Sequence, residues 1–306
     1  VAQRTSDARW IDLLDPSRDE LERSAPGALH DRALGRLLAP ARHEDEPRPT
    51  LEGHEGYVFG IFLVAVAVPE DDRVYYQEID LVATAELVLT VRKTPPGGEP
   101  FDPARLRDTC AQGPVQSGML VYALVDEVAE RYLSLVDELE DEIDDLEECV
   151  ETLPAETVRD RLSGLRHDLL HVRRTLAPTR DSVRRVLDGR IGTGNGTKFS
   201  RAVELHFEDA YDKLLRASEG IELARDLVAG VRDYSQSKIA NDQNEVMKRL
   251  TAIASILLLP TFIVGLYGQN FDIPELRWDF GYGWSWGLIA VTTIVQIILF
   301  RRKHWL

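Results

Sequence analysis

The chain has 306 residues, a length that suits about two domains. Its formal net charge is −16, which argues against nucleic acid as a partner. The composition is ordinary until about residue 249 and then changes, because 250–271 and 280–300 hold no Asp, Glu, Lys or Arg.

Residues 1–115 read as an N-terminal α/β domain. The first 25 residues are charged and lack an apolar h-region, so no secretory signal is expected. Residues 9–14 predict a short strand, and Asp15-Pro16 an N-cap with proline at the first helical position. Apolar, β-branched runs at 57–68, 74–81 and 87–92 predict three more strands. Pro95-Pro96-Gly97-Gly98 breaks the last. No nucleotide fingerprint occurs here.

Residues 116–198 read as a helical hairpin. Leu139, Ile143, Leu146, Val150 and Leu153 repeat at helical spacing, and 137–151 carries ten acids in fifteen residues. Pro154 is expected to end that helix. The next, 156–187, carries eight arginines, which suggests an antiparallel pair with opposite charges facing. Solvated surface faces are the alternative, and they would add little stability. His167 and His171 have zinc-ligand spacing but sit among arginines. The cysteines Cys110 and Cys149 show no metal-ligand spacing and are expected to stay reduced in a cytosolic domain. Gly192-Thr193-Gly194-Asn195-Gly196 follows a helix rather than a strand and reads as a linker, not a phosphate cradle.

Residues 199–249 predict a stalk helix, with no strong breaker before Pro260. If unbroken into the next segment it would reach roughly 100 Å. The two uncharged runs are each just over 20 residues, enough to cross a bilayer. The segments are thus a first span with its outer motif at 250–271, a loop at 272–279, and a second span with a basic tail at 280–306. Lys238, Lys248 and Arg249 precede the first span, and Arg301, Arg302 and Lys303 follow the second. The positive-inside rule therefore places both termini in the cytosol and the loop outside.

Two helices cannot enclose a polar path, so the chain is either an anchored module or one subunit of a ring. Asn244, Met247, Thr251, Ala254, Leu258, Thr261, Gly265 and Gly268 share one helix side. Such a stripe suits a pore lining or, alternatively, a small-residue packing face. The outer helix end offers carbonyls and a partial negative charge, with Gly268 at the position of a terminating glycine and Asn270 adding an amide oxygen. Asp272, Glu275 and Asp279 make the loop acidic. With no carboxylate in either span, the expected mode is recognition of a largely hydrated cation. Met247 and Leu250 are candidates for an apolar constriction. The spans hold no acid or histidine for a proton relay, which favours flow down the membrane potential.

Tyr267-Gly268-Gln269-Asn270-Phe271 resembles the Tyr-Gly-Met-Asn-Phe motif of CorA-type magnesium channels. Its context matches too: Asn244-Glu245-Val246-Met247-Lys248, Pro274-Glu275-Leu276, and the basic C-terminal run. The resemblance implies an α+β cytosolic domain, a long-helix stalk and two C-terminal transmembrane helices in a funnel-shaped homopentamer. It implies a cell (inner) membrane transporter, not an enzyme, that carries Mg²⁺ and often Co²⁺ or Ni²⁺. Gly268 and Asn270, with Gln269 between them, would form the outer ion ring. Asn244, Met247, Leu250, Leu258 and Thr261 fall at family pore positions. Asp233 matches an acidic ring at the inner entrance, and Asp209 an inter-subunit regulatory magnesium site. The implied partners are copies of the chain, membrane lipid and divalent ions. No cofactor is implied beyond transported or regulatory metal.

Two departures stand out. Gln269 replaces the family's methionine, and Arg36 aligns with the aspartate expected opposite Asp209. Both leave open the Zn²⁺-moving ZntB branch. A membrane-anchored cytosolic interaction module without transport is the alternative from another class.

Overall fold

The computed structural model describes residues 8–27, 29–41, 46–68, 73–191, 199–269 and 273–306. They divide into two compact units, Val1–Arg232 and Asp233–Leu306, and the boundary falls inside a helix.

The first unit is built on a five-stranded sheet of order β1-β5-β4-β3-β2. The strands are β1 (Arg9–Leu14), β2 (Thr50–His54), β3 (Tyr57–Val68), β4 (Arg73–Ala83) and β5 (Leu87–Arg92). Only β1 runs parallel to its neighbour, with Arg9 opposite Leu87. The strands alternate between two apolar layers, as the period of two requires. Tyr57, Phe59, Ile61, Val82, Leu89 and Val91 pack with Leu21 of α1 (Arg18–Ser24) and Leu37 of α2 (Asp31–Leu37). Val58, Phe62, Val64, Ile79, Leu81 and Val88 join the larger core, which takes in Leu106 of α3 (Ala104–Ala111) and residues of α4 (Ser117–Cys149).

That larger core continues along a helical layer of α4, α5 (Ala155–Leu187) and the first part of α6 (Arg201–Tyr267). The close approach of α4 and α6 depends on Gly220, where an added Cβ would lie 2.5 Å from Val136 Cγ1.

Several local expectations are corrected. Helix α1 starts two residues later than Asp15-Pro16 suggests. Ser17 caps it in a reciprocal capping box with Glu20, which satisfies donors that Asp15 would otherwise have to meet. Asp15 instead takes a positive φ of 43° and accepts from the Thr94 backbone N–H at 3.1 Å. Pro154 does not end α4, which stops at Cys149; it immediately precedes α5. The α4–α5 seam is apolar rather than charged: Leu139, Ile143, Leu146 and Val150 are buried with Val158, Leu162 and Leu165. The charges flank that seam, as in the 3.4 Å pair of Arg161 with Glu142.

The second unit holds the remainder of α6, a 3₁₀ turn at Pro274–Arg277, and α7 (Gly281–Arg302). Both helices contain a stretch long and apolar enough to cross a membrane. Helix α6 runs unbroken through Pro260.

Candidate functional site

The site lies on the membrane-length part of α6. One side of that helix carries Ala252 and Ile263, both buried, together with half-buried Ser255 and Leu259. This is the side that meets α7, where Gln296 Nε2 donates to the Ser255 carbonyl at 3.2 Å. The other side carries the stripe read from sequence. Asn244, Met247, Thr251, Ala254, Leu258, Thr261, Gly265 and Gly268 are all exposed in the protomer, Leu258 to 70%. Leu250 is exposed as well. The stripe is therefore not the face that α6 uses to pack on α7.

The stripe's two hydroxyls are locally satisfied. Thr251 Oγ1 donates to the Met247 carbonyl and Thr261 Oγ1 to the Leu257 carbonyl, each at 2.8 Å. Back-bonding of this kind lets a hydroxyl sit in an apolar setting. It leaves oxygen lone pairs, not protons, directed outward as acceptors.

At the outer end, Gly268 N–H donates to the Val264 carbonyl at 2.9 Å, and Gln269 N–H to the Leu266 carbonyl at 3.3 Å. Gly268 follows the last helical residue, Tyr267, but does not adopt a positive φ. The left-handed cap is thus replaced by a final turn that keeps the Val264 carbonyl bonded. A Cβ at 268 would stand 3.2 Å from that carbonyl oxygen, so the glycine keeps its surroundings open. Gln269 is exposed. Asn270 and Asp272 lie outside the described residues.

Asp209 and Asp233 are exposed on α6, in the first and second unit respectively. Arg36, aligned opposite Asp209 on sequence, is engaged inside its own chain. Its Nη2 donates to Glu78 Oε1 at 3.2 Å. Lys93 Nζ donates to the same oxygen at 2.7 Å and to the Arg36 carbonyl at 2.9 Å, and pairs with Asp80 Oδ2 at 2.8 Å. Glu78, Asp80 and Lys93 are buried. Burial pushes the Asp80 carboxyl up to about 7, against the opposing pull of Lys93. His167 and His171 have ring centroids 4.7 Å apart on α5. Among the described residues, no group of three or more His, Cys, Asp or Glu is gathered to hold a metal.

Gln296 escaped the sequence reading. A single amide in an apolar run carries no periodic signal, and its partner lies 41 residues away. Its signal was only that a polar side chain inside a span needs a partner.

A helix-covered mixed sheet, joined to two lipid-length helices of which one exposes a small and polar stripe, defines a two-span membrane protein. Residues 5–302 match the family described as CorA-like Mg²⁺ transporter protein. The cobalt/magnesium transport protein CorA of Thermotoga maritima is 32% identical over 263 residues, covering 85% of this chain and 73% of that protein. The structure of the complete CorA magnesium transporter from Methanocaldococcus jannaschii superposes with a TM-score of 0.76 at 22% identity, covering 100% of this chain and 94% of that one. The full-length CmaX protein superposes with a TM-score of 0.68 at 22% identity, covering 100% and 91%. The chain belongs to the CorA-like Mg²⁺ transporter family, whose members are transporters and not enzymes.

Proposed function

We propose that the chain is one subunit of a homo-oligomeric pore, with five copies around the axis, that passes divalent cations across the membrane, Mg²⁺ foremost and Co²⁺ or Ni²⁺ beside it. The supporting observation is the exposed stripe from Asn244 to Gly268, on the side of α6 away from the Gln296–Ser255 contact. Copies arranged with these stripes inward would line a path with hydroxyl and amide oxygens and apolar side chains. Such a path suits a cation that keeps most of its water, since Mg²⁺ dehydrates reluctantly. Met247 and Leu250 would make the narrow apolar section. Gly268, Gln269 and Asn270 would make the outer ring, and Asp233 an acidic ring at the inner entrance. Both termini would face the cytosol, in keeping with Arg301, Arg302 and Lys303 at the end of α7. Asp209 would hold a regulatory ion between subunits.

Ion flux into liposomes under an inside-negative potential tests the reading, with Mg²⁺ and Zn²⁺ compared with and without a pH gradient. Mg²⁺ entry without a pH gradient is expected. Zn²⁺ entry in its place would move the chain to the ZntB branch, and no flux of either ion or of Co²⁺ would leave an anchored interaction module. Asn270→Ala should abolish flux with assembly intact; full flux in that variant would remove the outer ring from the account.

A further inference from the structure

Gln296 is a polar side chain inside a span that takes no part in the proposed ion path. It stands on a half-buried side of α7 with Leu288, Ile289, Thr292, Thr293 and Phe300. Its Nε2 donates to the Ser255 carbonyl of α6 at 3.2 Å. Its Oε1 is buried and has no hydrogen-bond partner among the described residues. A buried amide oxygen left unpaired is unfavourable, and an apolar residue of the same size would fill the position without that cost. Packing alone therefore does not account for Gln296. The amide has one thing that leucine lacks, a donor, and that donor is directed at the backbone of the neighbouring helix.

The acceptor stands at a weak point of α6. Pro260 has no N–H, so the Ile256 carbonyl lacks its helical donor and the turn that follows Ser255 is the one most easily deformed. Ser255, Ile256, Leu259 and Pro260 are half-buried, whereas Ala254, Leu258 and Thr261 of the stripe are exposed. Each residue turns a helix by about 100°, so a small rotation exchanges Leu258 for Leu257 at the same place. Apolar burial does not fix that rotation. Ile253, Leu257 and Phe262 lie off the stripe, are exposed in the protomer and are as apolar as Leu258, and lipid distinguishes poorly among such side chains. A directional bond to one carbonyl does distinguish them.

On the pore reading given above, we propose that Gln296 is a positioning residue: its amide, donating to the Ser255 carbonyl, fixes the rotation of α6 on α7 and keeps Thr251, Ala254, Leu258 and Thr261 toward the ion path. Gln296 touches no ion itself and acts through α6.

The test uses full-length protein in liposomes under an inside-negative potential, with Mg²⁺ as the ion, or Zn²⁺ should the parent pass only that. Gln296→Leu removes the donor with little change of volume. Maximal flux should fall about three- to twentyfold, the equilibrium effect of one interhelical hydrogen bond. The ion concentration for half-maximal flux should stay the same, because the outer ring is untouched. Rotation is read separately with single cysteines in a background lacking Cys110 and Cys149. When Gln296→Leu is added, oxidative cross-linking between subunits should decrease for Leu258→Cys and increase for Leu257→Cys. Gln296→Glu separates the donor from the packing. At about pH 6 on both sides a neutral carboxyl keeps an O–H to donate to the Ser255 carbonyl, and at about pH 9 a carboxylate has none. Relative to the parent at the same pH, its flux should be near parental at the lower pH and depressed at the higher, whereas Gln296→Leu should show one deficit at both. That comparison lies within a single folded protein, so it decides the matter even where Gln296→Leu assembles poorly. The proposal is overturned if Gln296→Leu keeps parental flux and cross-linking, or if Gln296→Glu responds to pH no more than Gln296→Leu does. A parent that passes neither ion would overturn the pore reading, and this proposal with it; a conducting parent with indifferent variants overturns the proposal alone.

Discussion

Lys93 is the residue on which the N-terminal charges converge. It is buried, it touches Glu78 and Asp80, and its ammonium also donates to the Arg36 carbonyl. Removing one partner from a buried ionic cluster typically costs about 3–5 kcal/mol, so Lys93→Met should sharply lower the unfolding midpoint of this unit. Asp80 makes the cluster sensitive to pH. Burial holds its carboxyl at about 7 against an ordinary 3.8, so the folded chain retains a proton that the unfolded chain has lost. Such a group contributes fully below its unfolded value, and the contribution fades as pH rises through the folded one. The melting temperature should thus be higher at about pH 6 than at about pH 8 in proportion to this group. Asp80→Asn should flatten that slope; an unchanged slope would assign the pH dependence elsewhere. Arg36 shows what alignment cannot supply. Its charge is committed to Glu78, a partner 42 residues away, and no local pattern marks that pairing.

At the scale of elements, Gly220 sets how closely α6 lies on α4. A methyl group there would meet Val136 Cγ1 at 2.5 Å, and Val136 is β-branched with little freedom to yield. Gly220→Ala should cost about 1–3 kcal/mol through overpacking, and Val136→Ala in the same chain should recover part of it, which a double-mutant cycle reads directly. Elements with strong periodicity were legible in the sequence. Strands 57–68 and 87–92 match β3 and β5 end to end, because apolar runs bounded by turn residues leave little choice. Strand β2 was not legible: Thr50-Leu51-Glu52-Gly53-His54 buries only Leu51 and owes its conformation to pairing with β3. Helices α2 and α3 are likewise too short for a helical period to emerge, and tertiary packing of Leu37 and Leu106 fixes them. The stripe on α6 was readable because spacings of three and four survive in an apolar helix. The α4–α5 seam was misread because exposed charge is conspicuous in sequence whereas burial decides the contact.

For the whole molecule, the deciding quantity is apolar surface. In the protomer Ile253, Leu257, Leu258, Phe262 and Val264 on α6, and Val291, Ile294 and Ile298 on α7, are all exposed. Two helices cannot cover one another on every side, and on the proposed reading lipid and further copies would share the remainder. Single cysteines in a background with Cys110 and Cys149 replaced distinguish the two faces. Met247→Cys and Leu258→Cys should cross-link between subunits under oxidation, whereas Ile253→Cys should not. Cross-linking at Ile253 alone would turn the stripe outward and remove it from the pore. The sheet carries a different consequence, one of timing. Strand β1 leaves the ribosome before the other four, yet it pairs in parallel with β5, Arg9 opposite Leu87. Until that distant strand is made, β1 has no place to dock, and once β5 is made its outer edge stays open until β1 arrives. Closing so long a loop is slow, and an open edge meanwhile invites pairing with other chains. The assembly of this protein therefore has a vulnerable interval that begins with the emergence of β5 and ends only when the sheet's earliest strand returns.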